Sequence, residues 1–102
     1  MVNTLNLRIN PVKRTIEDTG DDEWRVISLS AQDSSLFWHL WESKKIVSAD
    51  EIAEKVFGWS NALNNRNAVI AAVKRLREKI EKDVHNPQII LSARGKGYYI
   101  GI

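Results

Sequence analysis

The 102 residues contain no cysteine, which excludes disulfides, thiolate zinc sites and cysteine nucleophiles. Histidine is nearly as scarce. His39 and His85 are the only two, far apart in sequence and in no metal-ligand or triad pattern. Long apolar runs are missing as well; the longest, such as Val69 to Val73, cover a few residues and cannot span a bilayer. Met1 to Arg8 has no basic flank ahead of an apolar core, so it does not read as a signal peptide. No glycine-rich loop opens a helix, because Gly95 and Gly97 lie in a turn between two short β-rich runs. Enzyme readings therefore fail on inventory, and neither cofactor nor metal is expected.

What is present is an ordinary globular balance, 43% hydrophobic and 27% charged. A chain of this length buries roughly 65% of its unfolded surface, so one domain over residues 1–102, in the cytoplasm, is the expectation. The formal charge of +2 is unevenly spread. Residues 1–33 carry four cations and six acids, whereas residues 66–102 carry eight cations against Glu78, Glu81 and Asp83. A surface for an anion, most simply nucleic acid, accounts for that basic third. So does a solvated face on a Lys-rich helix.

Period-2 alternation of Leu5, Leu7 and Ile9 predicts a strand. Lys13 to Glu17 and Trp24 to Leu29 continue the β-rich pattern, giving an N-terminal antiparallel sheet of three or four strands over residues 1–29. The acids Asp18, Asp21, Asp22 and Glu23 lack calcium-loop spacing and read as a solvated turn. Three helices follow within residues 30–83. Ser30 with Asp33 marks the first, whose stripe is Leu36, Phe37, Leu40 and Trp41, and Lys44-Lys45 ends it. Ser48 with Glu51 predicts a capping box for the second, stopped at Gly58. The tryptophans are mostly core candidates, and His39 is partly buried or exposed structure.

The third and longest helix is predicted from about Asn65 to Asp83. At 100° per residue, Val73, Leu76 and Ile80 fall within about 40° of Val69, which makes those four its core face. Asn67, Ala71, Lys74 and Glu78 lie opposite, Arg75 and Lys82 at the edge, Ile70 and Arg77 between. Gln88 to Ser92 and Tyr98 to Ile100 then form a hairpin over residues 88–102. Sheet, helix, helix, long helix and hairpin make an α+β winged helix-turn-helix, whose third helix usually enters a major groove.

At this point the residues resemble the OmpR/PhoB-type winged-helix DNA-binding domain of bacterial transcription regulators, over nearly the whole chain. Leu29-Ser30-Ala31-Gln32-Asp33 looks like that family's Leu-Thr-x-x-Glu, and Ile46-Val47-Ser48-Ala49-Asp50-Glu51-Ile52 like its Val-Val-Ser-x-x-x-Leu. Val56-Phe57-Gly58 looks like Val-Trp-Gly, and Val73-Lys74-Arg75-Leu76-Arg77-Glu78-Lys79-Ile80 like Ile-x-x-Leu-Arg-x-Lys-Leu. Arg94-Gly95-Lys96-Gly97-Tyr98 fits the Arg-Gly-x-Gly-Tyr wing. Many response-regulator members carry an Asp and a His where this chain has Ile70 and Ala72. With the sheet opening at Met1, no receiver domain is expected ahead of it; the arrangement is similar to the N-terminal domain of ToxR-like regulators, excised, with a stand-alone protein as the alternative. A membrane then enters only through a C-terminal transmembrane segment beyond Ile102.

The resemblance implies double-stranded DNA as partner, with Asn67, Ile70, Ala71, Lys74, Arg75 and Arg77 on the recognition helix. Arg94 and Lys96 would act from the wing, and Arg66, Ser92 and Tyr98 would meet phosphates. A guanidinium such as that of Arg75 can bond guanine in the major groove, and free N–H groups at a helix start suit a phosphate beside Arg66. Against this stand helical pairing of the cations with Glu78 and Glu81, capping by Asn64 or Asn65, and packing of Tyr98 on the long helix. Ile70 meets a thymine methyl or packs on the wing. The resemblance further implies RNA polymerase at the Trp59–Asn65 loop and a second copy on tandem half-sites. A protein-interaction module, docking an acidic partner without DNA, is the alternative from another class.

Overall fold

The structure, a computed structural model, describes residues 2–4, 7–20, 25–58 and 65–102. Four short strands open it: β1 (Val2–Thr4), β2 (Leu7–Asn10), β3 (Thr15–Asp18) and β4 (Arg25–Val26). They pair antiparallel in that order, with Ile9 opposite Ile16 and Leu7 opposite Asp18. The alternation read from the sequence sends Leu7, Ile9 and Ile16 inward, where all three are buried. Leu5, where the expected strand opens, lies outside the described residues, and β1 is a separate strand paired to β2.

Three helices follow: α1 (Ala31–Ser43), α2 (Ala49–Lys55) and α3 (Asn65–Ile80). The capping box of α1 is complete. The Asp33 N–H donates to Ser30 Oγ at 3.1 Å and the Ser30 N–H to Asp33 Oδ2 at 3.2 Å. α1 ends at Ser43, one residue before the expected lysines, and Lys44 takes the left-handed conformation. At α2 only half of the expected box forms. Ser48 Oγ accepts from the Glu51 N–H at 3.0 Å, whereas the Glu51 carboxylate lies 3.0 Å from His39 Nε2 on α1. A histidine across the helix pair outcompetes the local backbone for that carboxylate. α2 itself stops at Lys55, three residues before Gly58.

The core draws on every layer. Leu36, Phe37, Trp38 and Leu40 from α1 meet Ile52 and Ala53 from α2, and Val69, Ala72, Val73, Leu76 and Ile80 from α3. The four positions expected on the inner face of α3 are all buried. Phe37 and Trp38 meet edge to face at 4.8 Å between ring centroids, and half-buried Trp41 stacks on Phe37 at 6.0 Å. Trp24 and Trp59 lie outside the described residues.

The wing is β5 (Ile90–Ala93) and β6 (Gly97–Ile100), an antiparallel pair in which Ser92 faces Tyr98. A third segment joins it. Val47, between α1 and α2, exchanges both backbone hydrogen bonds with Tyr98, at 2.8 and 2.9 Å. That close approach explains Gly97. Its φ is +146°, and a Cβ there would sit 2.0 Å from the Val47 carbonyl oxygen. Gly97→Ala is accordingly expected to cost about 3 kcal/mol, combining left-handed strain with overpacking, read as a lowered urea midpoint.

An ion pair joins the start of α1 to the end of α3. Asp33, 6% exposed at the start of α1, receives the Lys79 ammonium from the end of α3. Burial pushes the Asp33 carboxyl up, but Lys79 and the Ser30 N–H and hydroxyl outweigh it and hold the group below its ordinary 3.8. A depressed folded-state value stabilises above the ordinary carboxylate range and loses that contribution as pH falls through it. The thermal midpoint should therefore fall on acidification below about pH 4. Lys79→Ala, which removes the main influence holding Asp33 down, and Asp33→Asn, which removes the titrating group, should both make that fall shallower.

Candidate nucleic-acid interface

At ~100° per residue, one stripe of α3 runs through Arg66, Ile70, Lys74, Arg77 and Glu81. Its two ends do different things. The C-terminal end holds the wing. The Glu81 carboxylate, 8% exposed just past α3, accepts the backbone N–H groups of Gln88, Ile89 and Ile90 at 2.8 to 3.2 Å. One turn earlier the Arg77 guanidinium forks onto the Ile90 carbonyl oxygen, at 2.9 and 3.1 Å, and donates to Ser92 Oγ at 2.9 Å. It also lies 5.7 Å from the centroid of the Tyr98 ring.

Four expectations change here. The strand predicted from Gln88 begins at Ile90, because the N–H groups of Gln88 and Ile89 serve Glu81 rather than a neighbouring strand. Arg77, expected among the DNA-facing cations, has its guanidinium turned into the wing. Helical pairing of the cations with Glu81 is likewise replaced, since Glu81 bonds backbone. α3 closes at Ile80 rather than at Asp83.

The N-terminal end of the stripe opens into a cleft of about 490 Å³ between α3, the start of α2 and the wing. Arg66, Ile70, Ser92, Arg94, Lys96 and Tyr98, all singled out from sequence, line it together. Arg66, Arg94 and Lys96 are exposed. Among the described residues none of the three pairs with a carboxylate. Ile70 is 50% exposed. Tyr98 is half-buried between the cleft and Arg77, so packing on the long helix and access to a ligand coexist. Asn67, Lys74 and Arg75 are exposed on the outer side of α3, outside the cleft, and Ala71 is half-buried. Sequence reasoning did not find Ser48 and Asp50, which bring the first turn of α2 to the opposite wall. The cap signal at Ser48 located the helix start but not what it would face. The Trp59–Asn65 loop lies outside the described residues up to position 64; Asn65 is the first residue of α3.

A family model described as "Transcriptional regulatory protein, C terminal" matches residues 24–100. The chain belongs to that family. Its members are transcription regulators and not enzymes, in line with the residue inventory, and the OmpR/PhoB type is the one the motifs resembled. The transcriptional regulatory protein YvrH of Bacillus subtilis is 41% identical over 73 residues, 71% of this chain and 30% of that protein. The transcriptional activator protein IrlR of Burkholderia pseudomallei is 32% identical over 98 residues, 95% of this chain and 40% of that protein. The chain thus spans less than half the length of these relatives. In structure, the Klebsiella pneumoniae RstA DNA-binding domain, solved in complex with the RstA box, superposes with a TM-score of 0.73. That match is 25% identical and covers 97% of this chain and 94% of that one. The α+β winged helix-turn-helix is the fold of this family member.

Loss of the fork should be measurable. Arg77→Lys keeps the charge but cannot bridge Ile90 and Ser92, and is expected to lose about 1–3 kcal/mol. Hydrogen exchange should quicken at wing amides while those of α1 stay protected.

Proposed function

We propose that this chain is the sequence-specific DNA-binding domain of a bacterial transcription regulator, with α3 in the major groove and the wing in the adjacent minor groove. The observation that carries this reading is the cleft. It gathers Arg66 from α3 with Arg94 and Lys96 from the wing, with no carboxylate partner for any of them among the described residues. RstA, a neighbour of the same shape, is a DNA-binding domain, which supports the same role here. Asn67, Ala71, Lys74 and Arg75 on the outer side of α3 read or approach base edges, Arg75 by a bidentate bond to guanine. Arg66, Ser92 and Tyr98 meet phosphates. Arg94 enters the minor groove, where narrow A·T-rich tracts attract a guanidinium. Arg77 acts as a positioning residue that holds the wing at its angle to α3.

Partners beyond DNA follow from the resemblance: RNA polymerase at residues 59–65 and a second copy on tandem half-sites. The ToxR-like arrangement rests on the same ground, while the relatives include the DNA-binding response regulator MtrA of Mycolicibacterium smegmatis, 40% identical over 58 residues. Among the described residues no helix is long and apolar enough to cross a membrane.

Fluorescence anisotropy of a random-sequence duplex against salt tests the reading. Binding should weaken steeply with salt and vanish in an Arg75→Glu/Arg94→Glu double variant. No binding at low salt by a folded sample would favour a protein partner for the basic face instead. On a selected site, Arg75→Ala should cost about 1–3 kcal/mol and relax preference at one base pair. Lys96→Ala should weaken all sequences alike and reduce the salt slope by about one. Equal and sequence-blind losses in both would contradict this division of labour.

A further inference from the structure

We propose that Ile70 determines specificity by reading the 5-methyl group of one thymine in the major groove, an inference that rests on the DNA-binding reading above. Ile70 is the one large aliphatic residue among the described residues that is both substantially exposed, at 50%, and part of the cleft. Packing on the wing would have covered it. The wing instead stands off α3 at this level, held at the far end of the stripe by Arg77 and Glu81. The nearest walls offer it no other large aliphatic side chain: Ser48, Ala49 and Asp50 stand on the facing wall, and Arg66 one turn earlier on α3.

An isoleucine has no donor or acceptor, so it cannot distinguish bases by hydrogen bonding. The thymine methyl is the one apolar group that a base pair presents in the major groove. Covering it with a γ- or δ-methyl removes apolar surface of both partners from water. At about 0.8 kcal/mol per buried carbon, the effect is about fourfold in affinity at ~1.4 kcal/mol per factor of ten. The contact also makes a distinctive demand. It must follow the methyl and ignore the rest of the base edge.

The test uses a duplex recovered by site selection with the unaltered chain. Each thymine is replaced singly by deoxyuridine, which removes the methyl and leaves the hydrogen-bonding edge intact. One position should lose about fourfold in affinity. At that position a C·G pair should bind about as the uracil does, and 5-methylcytosine should regain most of the loss. Ile70→Ala should bind the thymine and uracil duplexes equally, while Ile70→Val keeps part of the preference. Circular dichroism and the salt slope report that each variant is folded and still engages phosphates. If wild type binds the site but no thymine shows methyl dependence, the Ile70 assignment is overturned and the DNA reading stands. The same holds if Ile70→Ala retains the dependence. If wild type binds no duplex at low salt, both readings fall.

Discussion

The Arg77–Glu81 clamp sets the geometry on which the rest of the surface depends. Two side chains one helical turn apart take opposite halves of the same strand. The carboxylate accepts three N–H groups at the root of β5, and the guanidinium takes a carbonyl and a hydroxyl two residues further on. Charge-assisted bonds of this kind are shorter and stronger than neutral ones, and the carboxylate's oxygens are largely removed from water. Because Arg77 projects from α3 and Glu81 directly follows its last residue, the strand cannot change its angle to that helix without breaking several bonds at once. The Val47–Tyr98 pairing closes the other side of the wing, and glycine at position 97 lets the two backbones meet.

The clamp explains why the basic residues of α3 are not equivalent. Charge counting treats Arg66, Lys74, Arg75 and Arg77 alike. In the fold, Arg77 is consumed internally, Arg66 shares a cleft with the wing cations, and Lys74 and Arg75 stand on the outer side. Under the proposed DNA-binding reading, wing and helix start would hold one edge of the duplex and the helix flank would meet base edges. Ile70 is left uncovered. What sets it apart from other exposed aliphatic residues such as Val12 and Val26 is its place in the basic cleft.

Local signals were the legible ones. The Ser30–Asp33 box, the inner stripe of α3 and the alternation of Leu7 and Ile9 each depend on residues a few positions apart. Helix and strand periodicity therefore exposed them directly. The misreadings share a cause. Glu51 leaves its own cap for His39, twelve positions away, and Glu81 leaves its helix neighbours for the amides of Gln88 to Ile90. In both, a partner delivered by folding competes with a local one. The lost strand positions at Gln88 and Ile89 follow from the second exchange.

The order of elements, the inner face of α3 and the membership of Arg66, Ile70, Arg94 and Lys96 in one basic, glycine-punctuated C-terminal third are legible along the chain. Those properties are set by periodicity, capping chemistry and motif spacing. Which cation faces outward and which braces the wing, that Ser48 and Asp50 form the opposite wall, and that Ile70 stays uncovered emerge when the elements pack. The reason is physical. Orientation of a long side chain is settled by which unsatisfied polar groups folding brings within about 3 Å of it, and those groups lie on other elements.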